Sequence, residues 1–335
     1  MSVFFEIFLL IVLYIISYLF IGNFIKRVTT KYVQPLLKDG PEHTQKVGTP
    51  TMGGVSFILL FITLIIFFAI VSYQNHSFYN NYIFLVILIT LIGYFLIGFK
   101  DDYDKVRAKQ NDFGLSPKAK LVLQSLVSIL IISVLIINKH DTNLFVPLIN
   151  LNLNLHIFYY LIVIFLLLAT TNATNLTDGV DGLLTSNSII TLIFLTIISF
   201  LQSNTILLIL NIIFIIILLA FLKYNLNPAK IFMGDVGSLA IGGYLSIVAI
   251  LLKIEILFIF FSFIYFVETL SVIMQVSYFK YTKKRYHKGQ RLLLMAPLHH
   301  HYEKKGLSEN KIVLLFSLIN IVASIIGMLI YYLTY

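Results

Sequence analysis

Five polar stretches interrupt an otherwise almost continuously apolar chain. They are Lys46-Val-Gly-Thr-Pro-Thr-Met-Gly-Gly54, Asp101-Asp102-Tyr-Asp-Lys105, Asn172-Ala-Thr-Asn-Leu-Thr-Asp-Gly-Val-Asp181, Phe232-Met-Gly-Asp-Val-Gly-Ser238 and Pro297-Leu-His-His-His-Tyr-Glu303. With only 15 Asp plus Glu in 335 residues, carboxylates at helix ends call for a use. Asp101 and Asp102 are adjacent and repel one another unless a divalent cation or a cation-bound phosphate sits between them; a solvated helix end is the bland alternative. Asn172, Asn175, Asp178 and Asp181 recur at every third residue, so a helix would turn them about 60° per step, and only neighbouring pairs would share a face. Gly179 and Gly182 predict a bent segment that wraps these groups around a ligand.

Asp235 lies between glycines at the start of an apolar run, where the first amides of a helix are free to meet phosphate. His299, His300 and His301 are adjacent and cannot all point one way, so one or two are expected to face the chemistry and the rest to be structural. A purely zinc role is disfavoured, because there is no cysteine and no second ligand cluster, while the carboxylates suit magnesium. Carboxylates for Mg2+, with cations and amides for developing charge, fit phosphoryl transfer to or from a nucleotide diphosphate. No Walker A loop is present.

The elements that must position these groups are membrane helices. The chain is 59% hydrophobic, with a mean hydropathy of +0.93, more than a soluble core can bury. Apolar runs near 3–22, 55–73, 82–99, 121–138, 156–171, 188–201, 205–222, 238–252, 255–277 and 312–334 predict an all-α polytopic membrane protein of about ten transmembrane helices. The runs near 188–201 and 238–252 are short, so their ends are expected to reach into the polar stretches, or one spans only in part. All basic residues but Lys139 and Lys253 fall in alternate loops, which puts the polar stretches on the cytoplasmic face and both termini outside. The first apolar run is kept as a helix, since no basic stretch precedes it and no cleavage site follows. The net charge of +9 suits the lipid bilayer surface and anionic substrates; no soluble domain supports a nucleic-acid partner. The lipid-facing surface leaves room for a homodimer contact, although no motif marks one.

With these stretches in view, the chain resembles the polyprenyl-phosphate N-acetylhexosamine-1-phosphate transferase superfamily from about Lys46 to Gly306. The Asp-Asp and Asn-Asp-rich stretches carry that resemblance, and Gly48–Gly54 with Met295–Glu303 point to its pentapeptide-transferase branch. Glu268 and Gln275, two turns apart on the ninth run, also look like that branch. The resemblance implies one integral membrane domain over residues 1–335 in a bacterial inner membrane. Its implied reaction takes phospho-MurNAc-pentapeptide from UDP-MurNAc-pentapeptide to undecaprenyl phosphate, with Mg2+.

Carried over by position, Asp101, Asp102, Asp235 and His299 would be catalytic, with Asp235, Asp102 and Asp178 as metal ligands. Lys46, Lys105 and Lys118 would meet phosphate, and Phe232 would stack on uracil. Thr51, Asn172, Asn175, Asp178, Asp181, Gln275, His300 and His301 would complete the substrate-binding set. Asp101 would either deprotonate the lipid phosphate for direct attack, the preferred route, or act beside a carboxylate that forms a covalent intermediate. Asp104 is an additional carboxylate, and an extra residue within 107–118 leaves the lysine at 118 loosely aligned. Two other readings compete: a sister enzyme that transfers GlcNAc-1-phosphate, and a transporter or flippase for a lipid-linked sugar. The latter needs ionisable residues near the bilayer midplane, where Glu268 with Gln275 is nearly the only candidate pair.

Overall fold

A computed structural model describes residues 3–28, 48–74, 82–110 and 113–334. The apolar runs become α1 (Val3–Val28), α2 (Gly54–Gln74), α3 (Tyr82–Ala108), α4 (Pro117–Ile137), α5 (Tyr159–Thr177), α6 (Leu183–Leu201) and α7 (Thr205–Asn225). They are followed by α8 (Asp235–Leu251), a short α9 (Phe258–Phe261), α10 (Phe263–Tyr286), α11 (Leu298–Lys304) and α12 (Glu309–Thr334). Among the described residues, eight helices are long and apolar enough to cross a membrane: α1 to α7 and α12. The chain is therefore a polytopic helical membrane protein.

Two of the ten expected spans take a different form. α8 has 17 residues, about 25 Å of helix against a hydrocarbon core of about 30 Å. Every residue from Val236 to Ile250 on it is buried, so it is apolar all round because protein surrounds it, mainly α3 and α5 with α2 and α6. Small residues make this possible, since a Cβ on Gly242 would lie 2.3 Å from Thr174 Oγ1, and one on Gly243 would lie 2.4 Å from the Tyr94 ring. The ninth run is broken at Ser262 and then continues in α10 to Tyr286, so its last turn carries Lys283, Lys284 and Arg285.

The short eighth run does reach into its polar stretch, at Asp235, whereas the sixth extends back to Leu183 and stops just short of Asp181. Several polar side chains pair across helix contacts, which lowers the cost of burying them at membrane depth. Thr174 Oγ1 donates to Ser238 O at 2.9 Å, Tyr244 OH to Asn211 Oδ1 at 2.8 Å, and Thr191 Oγ1 to Phe261 O at 2.6 Å. Phe61 and Phe214 stack at 4.3 Å beside Tyr244, linking α2, α7 and α8.

The all-α expectation needs one correction. At the end of the bundle away from the polar stretches, Asn143–Val146 (β1) pairs antiparallel with Leu151–Asn154 (β2), Asn143 opposite Asn154. Alternating polar and apolar residues on β2 suit a hairpin better than a helix. Next to the hairpin, Lys253 Nζ stands 3.3 Å from Glu255 Oε1, donates to Asp141 O at 2.9 Å and lies 4.0 Å from the Tyr159 ring centre. Tyr159 OH also donates to the buried Glu255. Burial pushes the Glu255 carboxyl up, and Lys253 and Tyr159 partly offset this. Lys253→Met is expected to lower stability by about 1–3 kcal/mol, read as thermal unfolding in detergent. Without the cation the Glu255 value rises further, so the deficit should grow as pH increases through it.

Candidate active site

All five polar stretches meet at one end of the bundle, within the limits of the described residues. The Gly48–Gly54 stretch joins the Phe232 stretch by backbone pairing: Phe232 N–H donates to Pro50 O, Gly53 N–H to Phe232 O and Gly54 N–H to Met233 O, each at 2.9 Å. This seats the buried Thr51 and the half-buried Phe232 at the mouth of α8. Lys46 lies outside the described residues.

Helix α3 continues past its apolar run to Ala108, so the Asp101–Lys105 stretch is helical. Residues four apart then share a face. Lys100 pairs with Asp104 at 2.6 Å on the exposed side, so the extra carboxylate is turned away from the inner cluster. On the inner side Lys105 stands 2.5 Å from Asp101 and 3.2 Å from Asp235. The loop after α3 folds back, and Leu115 N–H donates to Asp101 Oδ1 at 2.7 Å.

Ser116 then caps α4, with Pro117 in its first turn. Helix geometry separates Lys118 from Lys120 by about 200°. The exposed residue is Lys118, and Lys120 is the one turned inward, 2.7 Å from Asp235 Oδ2 and 3.4 Å from Asp101 Oδ1. Of the two lysines, Lys120 rather than Lys118, where the phosphate contact was expected, is the one that meets the carboxylates. The Ser-Pro helix start was the sequence signal for it.

Asp235 opens α8 after Gly234, whose φ of +77° favours glycine. Asp102, from α3, accepts the Val236 N–H at 3.0 Å and so takes up one unpaired amide of the α8 N-terminus. Asn175 Nδ2 donates to Asp235 Oδ1 at 2.8 Å and contacts Ser238 Oγ at 3.0 Å. One oxygen from each of Asp101, Asp102 and Asp235 lies within 4.8 Å of the others. Of the expected metal ligands, Asp102 and Asp235 belong to this triad, and Asp101 joins them because it shares a helix turn with Asp102. Three carboxylates with no sulfur or imidazole donor form an oxygen site of the kind magnesium prefers.

Asp178 ends α5 beside this triad. Burial first, then the charges of Asp235, Asp102 and Asp181, push its carboxyl well above the usual range. A nearby cation would reverse this. Asp181 serves the loop before α8, accepting from Asn227 Nδ2 at 3.1 Å and Ala229 N–H at 3.0 Å, while its own N–H donates to Glu309 at 3.0 Å. Asn172 holds α5 to α4, donating to Gln124 Oε1 at 2.9 Å, a buried partner that the sequence did not reveal.

The three histidines divide their work. His299 is fully buried, and its ring edge lies on the Asp178–Gly179 turn. His300 Nδ1 pairs with Glu303 at 3.0 Å, and burial lowers its basicity. His301 Nδ1 accepts the Leu294 N–H at 3.1 Å. Gln275 Oε1 accepts the Leu292 and Leu293 amides at 3.0 and 2.9 Å, so it orders the same loop.

The profile of glycosyl transferase family 4 matches residues 84–253, which contain Asp101, Asp102, Asp178, Asp181 and Asp235. Proteins named phospho-N-acetylmuramoyl-pentapeptide-transferase are similar over most of the chain. That of Staphylococcus carnosus is 42% identical, covering 89% of this chain and 90% of its own. The Clostridium botulinum protein is 43% identical (89% and 87%), and that of Bacillus velezensis 41% (91% and 90%). The chain belongs to the phospho-N-acetylmuramoyl-pentapeptide-transferase family. It is a phospho-sugar transferase, and the converging carboxylates, lysines and amides are the groups such a reaction needs.

Proposed function

We propose that the chain, as one integral domain of a bacterial inner membrane, transfers phospho-MurNAc-pentapeptide from UDP-MurNAc-pentapeptide to undecaprenyl phosphate, releasing UMP. The observation that carries this reading is the convergence of Asp101, Asp102 and Asp235 with Lys105 and Lys120 at the bundle end where the histidine stretch also lies. A span count of ten, with both termini outside and the site on the cytoplasmic face, is the reading supported by α8 and α10 as additional membrane helices and by the one-sided lysines and arginines.

An oxygen of the lipid phosphate attacks the sugar-bearing phosphorus. The bond from that phosphorus to the bridging oxygen breaks, and UMP leaves with the electron pair. Lys105 and Lys120 hold the lipid phosphate and the diphosphate against Asp101 and Asp235, and Asp101 takes a proton from the incoming phosphate if it arrives protonated. Asn175 fixes Asp235 in place. Phe232 offers its ring to the uracil, and Thr51, Asp178 and His299 line the nucleotide-sugar path.

Asp101, Asp102 and Asp235 would hold Mg2+, with Asp178 alongside, and the bound ion would neutralise charge developing on the phosphoryl oxygens. A homodimer through the exposed apolar helix faces is compatible with this arrangement.

The test is UMP release by detergent-purified protein given undecaprenyl phosphate and either UDP-MurNAc-pentapeptide or UDP-GlcNAc, with Mg2+ or excess EDTA. Release with the pentapeptide substrate alone, abolished by EDTA and restored by Mg2+, is the expected result. Release with UDP-GlcNAc would assign the chain to the sister reaction.

A further inference from the structure

Glu268 lies on α10 with no exposed surface, in an apolar bundle where an ionisable group is costly unless it is held and used. Its partner is His299. Glu268 Oε1 accepts the His299 backbone N–H at 3.1 Å, and Oε2 stands 3.1 Å from His299 Nδ1. The opposite edge of the imidazole meets the Asp178–Gly179 turn so closely that a Cβ on Gly179 would lie 2.2 Å from Nε2. Among the described residues, neither ring nitrogen of His299 makes an aligned hydrogen bond, and Nε2 has no polar partner at all.

We propose that Glu268 is a positioning residue for His299: its carboxylate holds the backbone and the Nδ1 edge of the ring, so that Nε2 is held at the Asp178–Gly179 turn, over which the ligand lies. The proposal rests on reading His299 as a substrate-contacting group. A carboxylate beside Nδ1 keeps the proton there and leaves Nε2 as an acceptor, which selects a hydroxyl or amide N–H of the nucleotide sugar as its partner. A small ring rotation, which that contact favours, brings Nδ1–H into line with Oε2. Glycine at 179 is required because any side chain would occupy the space of the ring edge.

Glu268→Gln separates this role from packing. Its amide oxygen can still accept the His299 N–H, but its NH2 group facing Nδ1 favours the opposite tautomer. The expected result is a fall in kcat of about 10- to 100-fold, by analogy with lost orienting partners of other functional histidines, while KM for undecaprenyl phosphate stays unchanged. In protein labelled with 15N-histidine, the two ring-nitrogen shifts of the His299 signal, assigned by its loss in His299→Ala, should exchange. Glu268→Asp should recover part of the rate, and Glu268→Gln with His299→Ala should be no slower than His299→Ala alone.

If His299→Ala keeps full activity, the reading of the site itself fails. If His299→Ala is slow but Glu268→Gln matches the unaltered protein in rate and tautomer, only the Glu268 proposal is overturned. Additive losses in the double variant would likewise overturn it, since Glu268 would then act through the fold. Should Glu268→Gln fail to fold, Glu268→Asp with the same double-variant comparison carries the test.

Discussion

Asp235→Ala should slow UMP release by about a thousand-fold or more, equivalent to roughly 4 kcal/mol of lost transition-state stabilisation, with the helical bundle intact. Asp235 is where three parts of the sequence meet: Lys105 from α3, Lys120 from α4 and Asn175 from α5 all contact it. Removing it takes a carboxylate from the only triad of acidic ligands among the described residues, and it leaves two ammonium groups close together with one counter-charge fewer. Both changes weaken cation and diphosphate binding in the reacting geometry. The check is single-turnover UMP release at saturating substrates, with circular dichroism to show that helicity is kept. A loss smaller than tenfold would move the metal site elsewhere. Lys120→Ala should show a lesser loss and Lys118→Ala almost none, which tests the exchange of roles between these lysines.

Gly98→Ala should inactivate nearly as well, although it removes no reacting group. Gly98 lies one helical turn before Asp101 and Asp102, and a Cβ there would come 2.4 Å from the Asp235 carbonyl oxygen and 2.5 Å from Val236 Cα. The obstacle is backbone at the start of α8, which cannot swing aside as a side-chain tip can. α3 and α8 must therefore separate, and the carboxylates separate with them. Overpacking of this kind costs about 1–3 kcal/mol of stability, and displacement of catalytic groups by about 1 Å costs on the order of a hundredfold in rate. Thermal unfolding and UMP release on the same preparation should show a modest stability loss beside a large rate loss. Unchanged activity would mean that the close α3–α8 approach does not set the triad.

Much of the site was legible because its residue types are so unlike their surroundings. Carboxylates and amides stand out in a chain that is 12% charged, and Asp101, Asp102, Asn175 and Asp235 do converge. Lys118 against Lys120 was not legible from spacing within the loop, since the choice depends on where α4 begins and hence which face turns inward. Asn172 and Gln275 have the polarity of ligand-binding groups, but their side chains hold helix and loop backbone partners. Polarity in a sequence does not say whether its satisfier is a ligand or the protein.

By itself the sequence determined that this is a helical membrane protein whose polar groups are gathered into a few short stretches: most of its apolar runs are long enough to cross a bilayer as helices. Only the tertiary structure decided that α8 is a buried core helix, that Asp102 caps it from another helix, and that Glu268 reaches His299 across 31 residues of chain. Hydropathy measures how well a segment tolerates an apolar environment, and lipid and packed protein satisfy it equally. Which carboxylate meets which amide depends on how closely the helices approach, and that is fixed by the glycines and small side chains at their crossings.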